Sequence, residues 1–272
     1  MKIYISTDIE GIAGICSGKE TGREKGEYNF FQKEMTKEVA AACEGAIEAG
    51  AKEIVVRDAH GTARNILFEE LPESVKIIRS WTGHPYMMMD SLDGTFDAVM
   101  FVGYHSGTGS DGNALSHTMT STVRTKINGV YMTEFDINSM IASYEKVPVT
   151  FLSGDDTICE VAKKAIKNIK TVSAIKGLGA GVISKHPNIV RKEIKTKVKE
   201  SLKNIKTTKL YSLPKEFNIE FTFTRAHEAY ARSFFPGMKM LAPTVLQYSS
   251  KNFYEALIAL HYTLGIHFET NY

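Results

Sequence analysis

The chain has 272 residues, 43% hydrophobic and 24% charged, with 33 basic against 31 acidic side chains for a net charge of +2. That balance is ordinary for a globular protein and leaves no charge excess to hold nucleic acid or an acidic partner. No stretch has the length and apolarity of a membrane span, and the amino terminus enters a strand without a signal-peptide core, so a cytoplasmic protein is expected. Cys16, Cys43 and Cys159 are widely spaced with no Cys-x-x-Cys pair, which predicts free thiols, two of them within helices.

In chain order, Lys2-Ile3-Tyr4-Ile5-Ser6 reads as a strand running into Thr7-Asp8-Ile9-Glu10-Gly11. A strand's period of two aims Asp8 and Glu10 to one side, where two carboxylates repel unless a proton or cation lies between them. A helix over 29–49 is stopped by Gly50. Glu53-Ile54-Val55-Val56-Arg57-Asp58 is a second strand, emptying into Ala59-His60-Gly61, and 75–79 is a third. A helix is expected near 84–92, with Met87, Met88 and Met89 as core or subunit-contact packing. The all-apolar run from Ala98 to Gly103 reads as a strand buried on both faces and delivers Tyr104-His105.

The loop from Ser106 to Asn113 is rich in glycine and small polar residues, which predicts a mobile lid. Asn128-Gly129 between Val123-Arg124-Thr125-Lys126-Ile127 and Val130-Tyr131-Met132 signals a hairpin with a type I′ turn, which sets Glu134 at the first turn of the next helix. A helix over 134–145, a strand over 147–153 and a helix over 156–168 follow, with Asp155 or Asp156 as the cap. Gly177-Leu178-Gly179-Ala180-Gly181 reads as a hinge or turn.

From about residue 171 the character changes. Between Lys185 and Lys209 a lysine-rich face accompanies Val190, Ile194, Val198, Leu202 and Ile205 at helical spacing. Residues 217–224 alternate as a half-buried strand; a helix over 227–234, a strand over 244–248 and a terminal helix from Asn252 complete the chain. The fold class is therefore α/β, a mostly parallel sheet with helices on both faces over 1–170, plus a smaller α+β domain over 171–272 that lines a substrate entrance or carries oligomer contacts.

Three carboxylates and two imidazoles, Asp8, Glu10, His60, His105 and Glu134, thus gather at strand or hairpin ends, where open α/β sheets collect ligands. Taken singly, either acid of the first strand suits a helix cap, and either histidine suits a structural hydrogen bond. Taken jointly, the set points to a metal site. Oxygen ligands mixed with imidazole, without thiol, suit zinc or manganese in a hydrolytic site better than a structural zinc knot. Five ligands exceed what one open catalytic ion needs, so two ions bridged by Asp8 fit better. Asp58 is placed to orient an imidazole. Arg124 suits either a substrate carboxylate or plain solvent exposure, while His186, His227, His261 and His267 show no ligand spacing. Cys16 is read as a bystander.

The segments Ser6-Thr7-Asp8-Ile9-Glu10-Gly11, Asp58-Ala59-His60, Gly103-Tyr104-His105, Ser116-His117-Thr118-Met119, Glu134 with Asn138, and Ser153-Gly154-Asp155-Asp156 resemble the binuclear zinc D-aminopeptidases associated with dipeptide-transport operons. The likeness is collinear from residue 1 to about 160 and looser beyond. It implies a peptidase with two zinc ions per subunit that removes an N-terminal D-amino acid from short peptides, assembled as a self-compartmentalising homodecamer. By position it implies metal ligands at Asp8, Glu10, His60, His105 and Glu134 and a catalytic histidine at His117, acting either as proton shuttle or as nucleophile. Other classes also use a carboxylate and imidazole set. A binuclear phosphatase would need more cations than Arg57, Arg64 and Arg124 supply, another amidase would share the ligands, and a non-catalytic peptide binder would not need them.

Overall fold

The computed structural model describes residues 1–203 and 205–265; His267 and the end of the expected terminal helix lie outside them. In chain order the elements are β1 Lys2–Thr7, α1 Gly18–Thr21, α2 Tyr28–Glu48, β2 Glu53–Asp58, β3 Val75–Ile78, β4 Ala98–Tyr104, β5 Val123–Ile127, β6 Val130–Tyr131, α3 Glu134–Tyr144, β7 Val149–Asp155, α4 Asp156–Ala165, β8 Lys170–Leu178, β9 Gly181–Ser184, α5 Pro187–Lys203, β10 Phe217–Phe223, α6 Ala226–Arg232, β11 Lys239–Ala242, β12 Val245–Ser250 and α7 Phe253–Leu264.

Seven strands form one sheet in the order β3-β2-β1-β4-β7-β8-β9, parallel except for the terminal β8–β9 pair. The central strands β1, β4 and β7 are almost wholly buried, which is why they read as apolar runs rather than as alternating ones. One face of the sheet, carrying Ile3, Ile5, Met100 and Val102, packs on Met35, Val39, Ala42 and Ala46 of α2 and on Val190, Ile194 and Val198 of α5. Each fully buried Val, Ile or Met side chain here contributes about 1.5–3 kcal/mol. The other face, with Tyr4, Val99 and Phe101, packs on Phe135 of α3, Met87–Met89, Ile158 of α4, and residues of the second sheet and α7 such as Ile219, Phe221 and Leu257.

The second sheet is antiparallel, five-stranded, in the order β11-β12-β10-β5-β6. The change of character near residue 171 does not coincide with the change of sheet. Strands β8 and β9 extend the parallel sheet and α5 covers it, whereas β5 and β6, from the first half of the chain, pair with the second sheet. The glycine run at 177–181 is the β8–β9 turn. Its Gly177 is packed rather than hinge-like: its N–H donates to the Gly112 carbonyl at 3.0 Å, and a Cβ there would lie 2.3 Å from the Asp111 carbonyl oxygen.

Two local expectations change. The predicted helix around the methionine run is a single 3-10 turn, Met87–Met89, because Met87 has φ +52° and cannot continue a right-handed helix. The Tyr4 and Ser6 hydroxyls take the Asp90 and Met88 carbonyls instead, at 2.6 and 2.9 Å. The basic face of α5 is also less solvated than its composition suggests. Lys195 and Lys199 pair with Glu44 and Glu48 of α2, and Arg191 with Glu34.

Candidate active site

Four elements bring the expected residues to one place. Asp8 and Glu10 follow β1, His60 follows β2, His105 follows β4, and Glu134 opens α3 after the β5–β6 hairpin, whose Asn128 and Gly129 both have positive φ (+52° and +81°) as a type I′ turn demands. The ends of β1 and β4 approach so closely that only glycine fits between them. A Cβ on Gly11 would lie 1.9 Å from the Tyr104 carbonyl oxygen, and one on Gly103, at φ +77°, 2.2 Å from the Asp8 carbonyl oxygen. These two glycines are what set Asp8 beside His105.

The imidazoles are oriented by backbone carbonyls, which only accept. His60 Nε2 donates to the Thr21 carbonyl at 2.9 Å, His105 Nδ1 to that of Ser106 at 2.9 Å, and His117 Nδ1 to that of Leu115 at 2.9 Å. Each ring therefore presents its other nitrogen to the carboxylates, where a proton or a cation must lie between them. His60 Nδ1 stands 3.1 Å from Asp8 Oδ1 and 3.0 Å from Glu10 Oε2. His105 Nε2 stands 3.3 Å from Asp8 Oδ2 and 3.6 Å from Glu134 Oε2, and His117 Nε2 3.7 Å from Glu134 Oε1. The rings of His105 and His117 stack with centroids 4.4 Å apart. Candidate ligand atoms fall into two groups, Asp8 with Glu10 and His105, and His105 with His117 and Glu134.

Two observations fit a cation. Glu10 Oε2 and His105 Nε2 are buried and make no hydrogen bond among the described residues, although each faces opposite groups at about ion-pair range. A buried polar atom without a partner costs about 1–3 kcal/mol, which a shared metal ion removes. The electrostatics of the cluster also favour positive charge. Burial opposes charging His60 and His105, yet Glu10 and Asp8 around the first and Glu134 and Asp8 around the second hold both rings well above the ordinary imidazole pKa. Burial works to raise Asp8, but the two imidazoles hold it well below the usual carboxylate range, while burial pushes Glu134 up to about 7.

Asp8, His60, His117 and Glu134 line a cavity of about 310 Å³ whose remaining lining includes Trp81, Met88, Met119, Thr120 and Leu264. No lysine or arginine stands among its described lining residues, which disfavours phosphate as the substrate group. Arg57 is fully buried beneath Trp81, its guanidinium 4.7 Å from the ring centroid, and Arg124 is exposed on β5. His117 is the most exposed of the three clustered imidazoles, at 23%, against 14% for His60 and 0% for His105.

Asp58 does not orient an imidazole. It accepts from the backbone N–H and side-chain amide of Asn65 and from Ile66 N, and the Asn65 amide donates in turn to the His60 carbonyl, so Asp58 shapes the loop that carries His60. The loop from Ser106 is anchored, not free. Ser106 N donates to Asp155 Oδ2 at 2.6 Å, the Asn113 amide to the Glu10 carbonyl at 2.9 Å, and Met119 N to Glu134 Oε1 at 2.6 Å. Asp155 also caps α4 through Ile158 N, as one of the two expected caps. His186 and His227 are exposed, and His261 is buried on α7 and is not among the described residues lining the cavity. Trp81 and Leu264 carried no signal in the sequence, the methionine run containing Met88 pointed to packing, and Met119 stood out only as part of the Ser116-His117-Thr118-Met119 segment.

The arrangement has solved and curated counterparts. The fold is similar over the full length of both chains to the zinc-dependent D-aminopeptidase DppA from Bacillus subtilis, described as a self-compartmentalizing protease, with a TM-score of 0.92 and 26% identity. A curated D-aminopeptidase from Bacillus subtilis (strain 168) is 28% identical over 263 residues, 96% of this chain and 95% of that protein. With residues 1–262 matching the family model Peptidase_M55, D-aminopeptidase, the chain belongs to that family.

Proposed function

We propose that the protein is a zinc-dependent aminopeptidase acting on short peptides with an N-terminal D-amino acid. The observation that carries the reading is the pair of carboxylate–imidazole groups sharing His105, beside a cavity lined by Asp8, His60, His117 and Glu134, with the buried Glu10 Oε2 and His105 Nε2 left without hydrogen bonds among the described residues. Asp8, Glu10, His60, His105 and Glu134 would hold two zinc ions, with Asp8 facing His60 through Oδ1 and His105 through Oδ2. Bound zinc supplies Lewis acidity for the scissile carbonyl and a water acidic enough to be nucleophilic near neutral pH.

The chain's own residues do the rest. His117 moves the proton: its Nδ1–H is held by the Leu115 carbonyl, so Nε2 is the atom that accepts a proton and returns it to the leaving amine. Its partial exposure suits that traffic, whereas buried His105 suits a fixed ligand. Met119 N–H holds one Glu134 oxygen and leaves the other toward His105. Trp81 and Met88 exclude water from the apolar part of the cavity.

The division of roles is tested by metal content and rate together. Glu134→Ala should lose metal and activity, while His117→Ala should retain metal and lose about 10²–10⁴-fold in kcat. Equal metal loss in both variants would reject the assignment.

We further propose that subunits assemble into a homodecamer. Among the described residues no helix is long and apolar enough to cross a membrane. The exposed Tyr230 on α6, Phe234 just after it and Leu241 on β11 give the second sheet an apolar face of the kind assembly covers. Three free thiols suit a reducing, cytoplasmic setting.

A further inference from the structure

The cavity has two chemically unlike parts. One is the cluster of acids and imidazoles. The other is formed by Trp81, Met88, Met119 and Leu264, and the polar capacity of that part is already spent. Trp81 Nε1–H donates to the Gly61 carbonyl at 2.6 Å, and its ring lies on the Arg57 guanidinium. Met88 Sδ accepts from the Asn138 amide at 3.3 Å, and the Met88 carbonyl from Ser6 Oγ at 2.9 Å, so the methionine at the cavity floor is held at both ends. Met119 starts from a backbone at φ +62° whose N–H is pinned to Glu134, which ties its side chain to the site.

The geometry points to a side-chain subsite for the N-terminal residue of the peptide, formed by Trp81, Met88, Met119 and Leu264, that takes a neutral apolar side chain of leucine or methionine size. The inference rests on the aminopeptidase reading above and adds the class of residue removed. A substrate whose amino end and first carbonyl lie at the acid–imidazole cluster has its first side chain within reach of this wall, the most apolar part of the cavity among the described lining residues. Thioethers are flexible and polarisable, so two methionines accommodate several apolar shapes. A polar isostere finds no free donor or acceptor on these four side chains and leaves its own amide unmet. An acidic side chain is worse placed still, since the adjoining wall carries Asp8 and Glu134.

The test uses zinc-loaded protein and the near-isosteric pair D-Leu-Gly and D-Asn-Gly, with D-Met-Gly and D-Asp-Gly beside them. The subsite predicts kcat/KM for D-Leu-Gly and D-Met-Gly at least tenfold above D-Asn-Gly, and D-Asp-Gly lowest. Met88→Ala removes the floor and should lower the D-Leu to D-Asn ratio at least fivefold. Met119→Gln conserves volume at a partly exposed position, adds a hydrogen-bonding partner and should shift the ratio the same way, so the test stands even where Met88→Ala fails to fold. A wild-type ratio near one, or a ratio unchanged in both variants, overturns the subsite while leaving the activity intact. Failure to cleave any D-peptide with zinc bound overturns the activity and the subsite together.

Discussion

Replacing Glu38 by glutamine should reverse in sign with pH. Glu38 lies on α2, fully buried, where Oε1 accepts from Ala13 N at 3.0 Å and Oε2 makes no hydrogen bond among the described residues. Burial pushes its carboxyl up to about 8, the Ala13 N–H and Arg191 pulling it down only in part and the Glu34 charge adding to the rise. In the unfolded chain the same group titrates near 4.3. Between about pH 4.5 and pH 8 the folded state therefore keeps a proton that the unfolded state has released, so stability falls as pH rises across this window and levels off above it. The full penalty above pH 8 is on the order of 3–5 kcal/mol. Glutamine preserves the carbonyl that faces Ala13 and cannot ionise, but it leaves amide hydrogens unmet at a cost of about 1–3 kcal/mol. Denaturant unfolding of both proteins at saturating zinc, at pH 5, 7 and 9, gives the stability difference at each pH, with metal effects cancelling. Glu38→Gln should be less stable than wild type by about 1–2 kcal/mol at pH 5 and more stable by about 2 kcal/mol at pH 9. A difference that stays flat across that range would refute the reasoning.

Gly103→Ala combines a positive φ with a Cβ 2.2 Å from the Asp8 carbonyl oxygen, and should cost about 2–6 kcal/mol in unfolding free energy and weaken zinc retention. Gly109→Ala, at φ +87° with nothing within 4 Å, should cost only the backbone part, about 1 kcal/mol or slightly more, and equal losses would show that the close approach is not what matters. Light scattering after size exclusion should give a mass near ten times the 30.2 kDa subunit, and Phe234→Asp, placed on the exposed apolar face, should lower it; an unchanged mass would move the contact elsewhere.

The parallel sheet was legible because strands buried on both faces are written as apolar runs, and those of β1, β2 and β4 end in Asp8, His60 and His105. Glu134 was legible through Asn128-Gly129, since only a turn with two positive φ values needs that pair. What could not be read was set by distant parts of the chain. Met87–Met89 has a helical composition, but side chains of β1 take the carbonyls that a helix would have bonded internally. The pairing of β5 with β10 spans about a hundred residues, and four-residue β11 carries too little pattern to register as a strand. Asp58 sits at a strand end like the site residues, yet its partners are backbone groups of the Asn65 loop, which no spacing rule distinguishes from an imidazole.

Amino-acid release from D-Ala-D-Ala beside L-Ala-L-Ala, with chelator-stripped protein before and after zinc is restored, tests the central claim most directly. The account predicts no release without metal and release from the D-peptide alone once zinc is present. Release from the L-peptide at a comparable rate, or release from the D-peptide without metal, would contradict it.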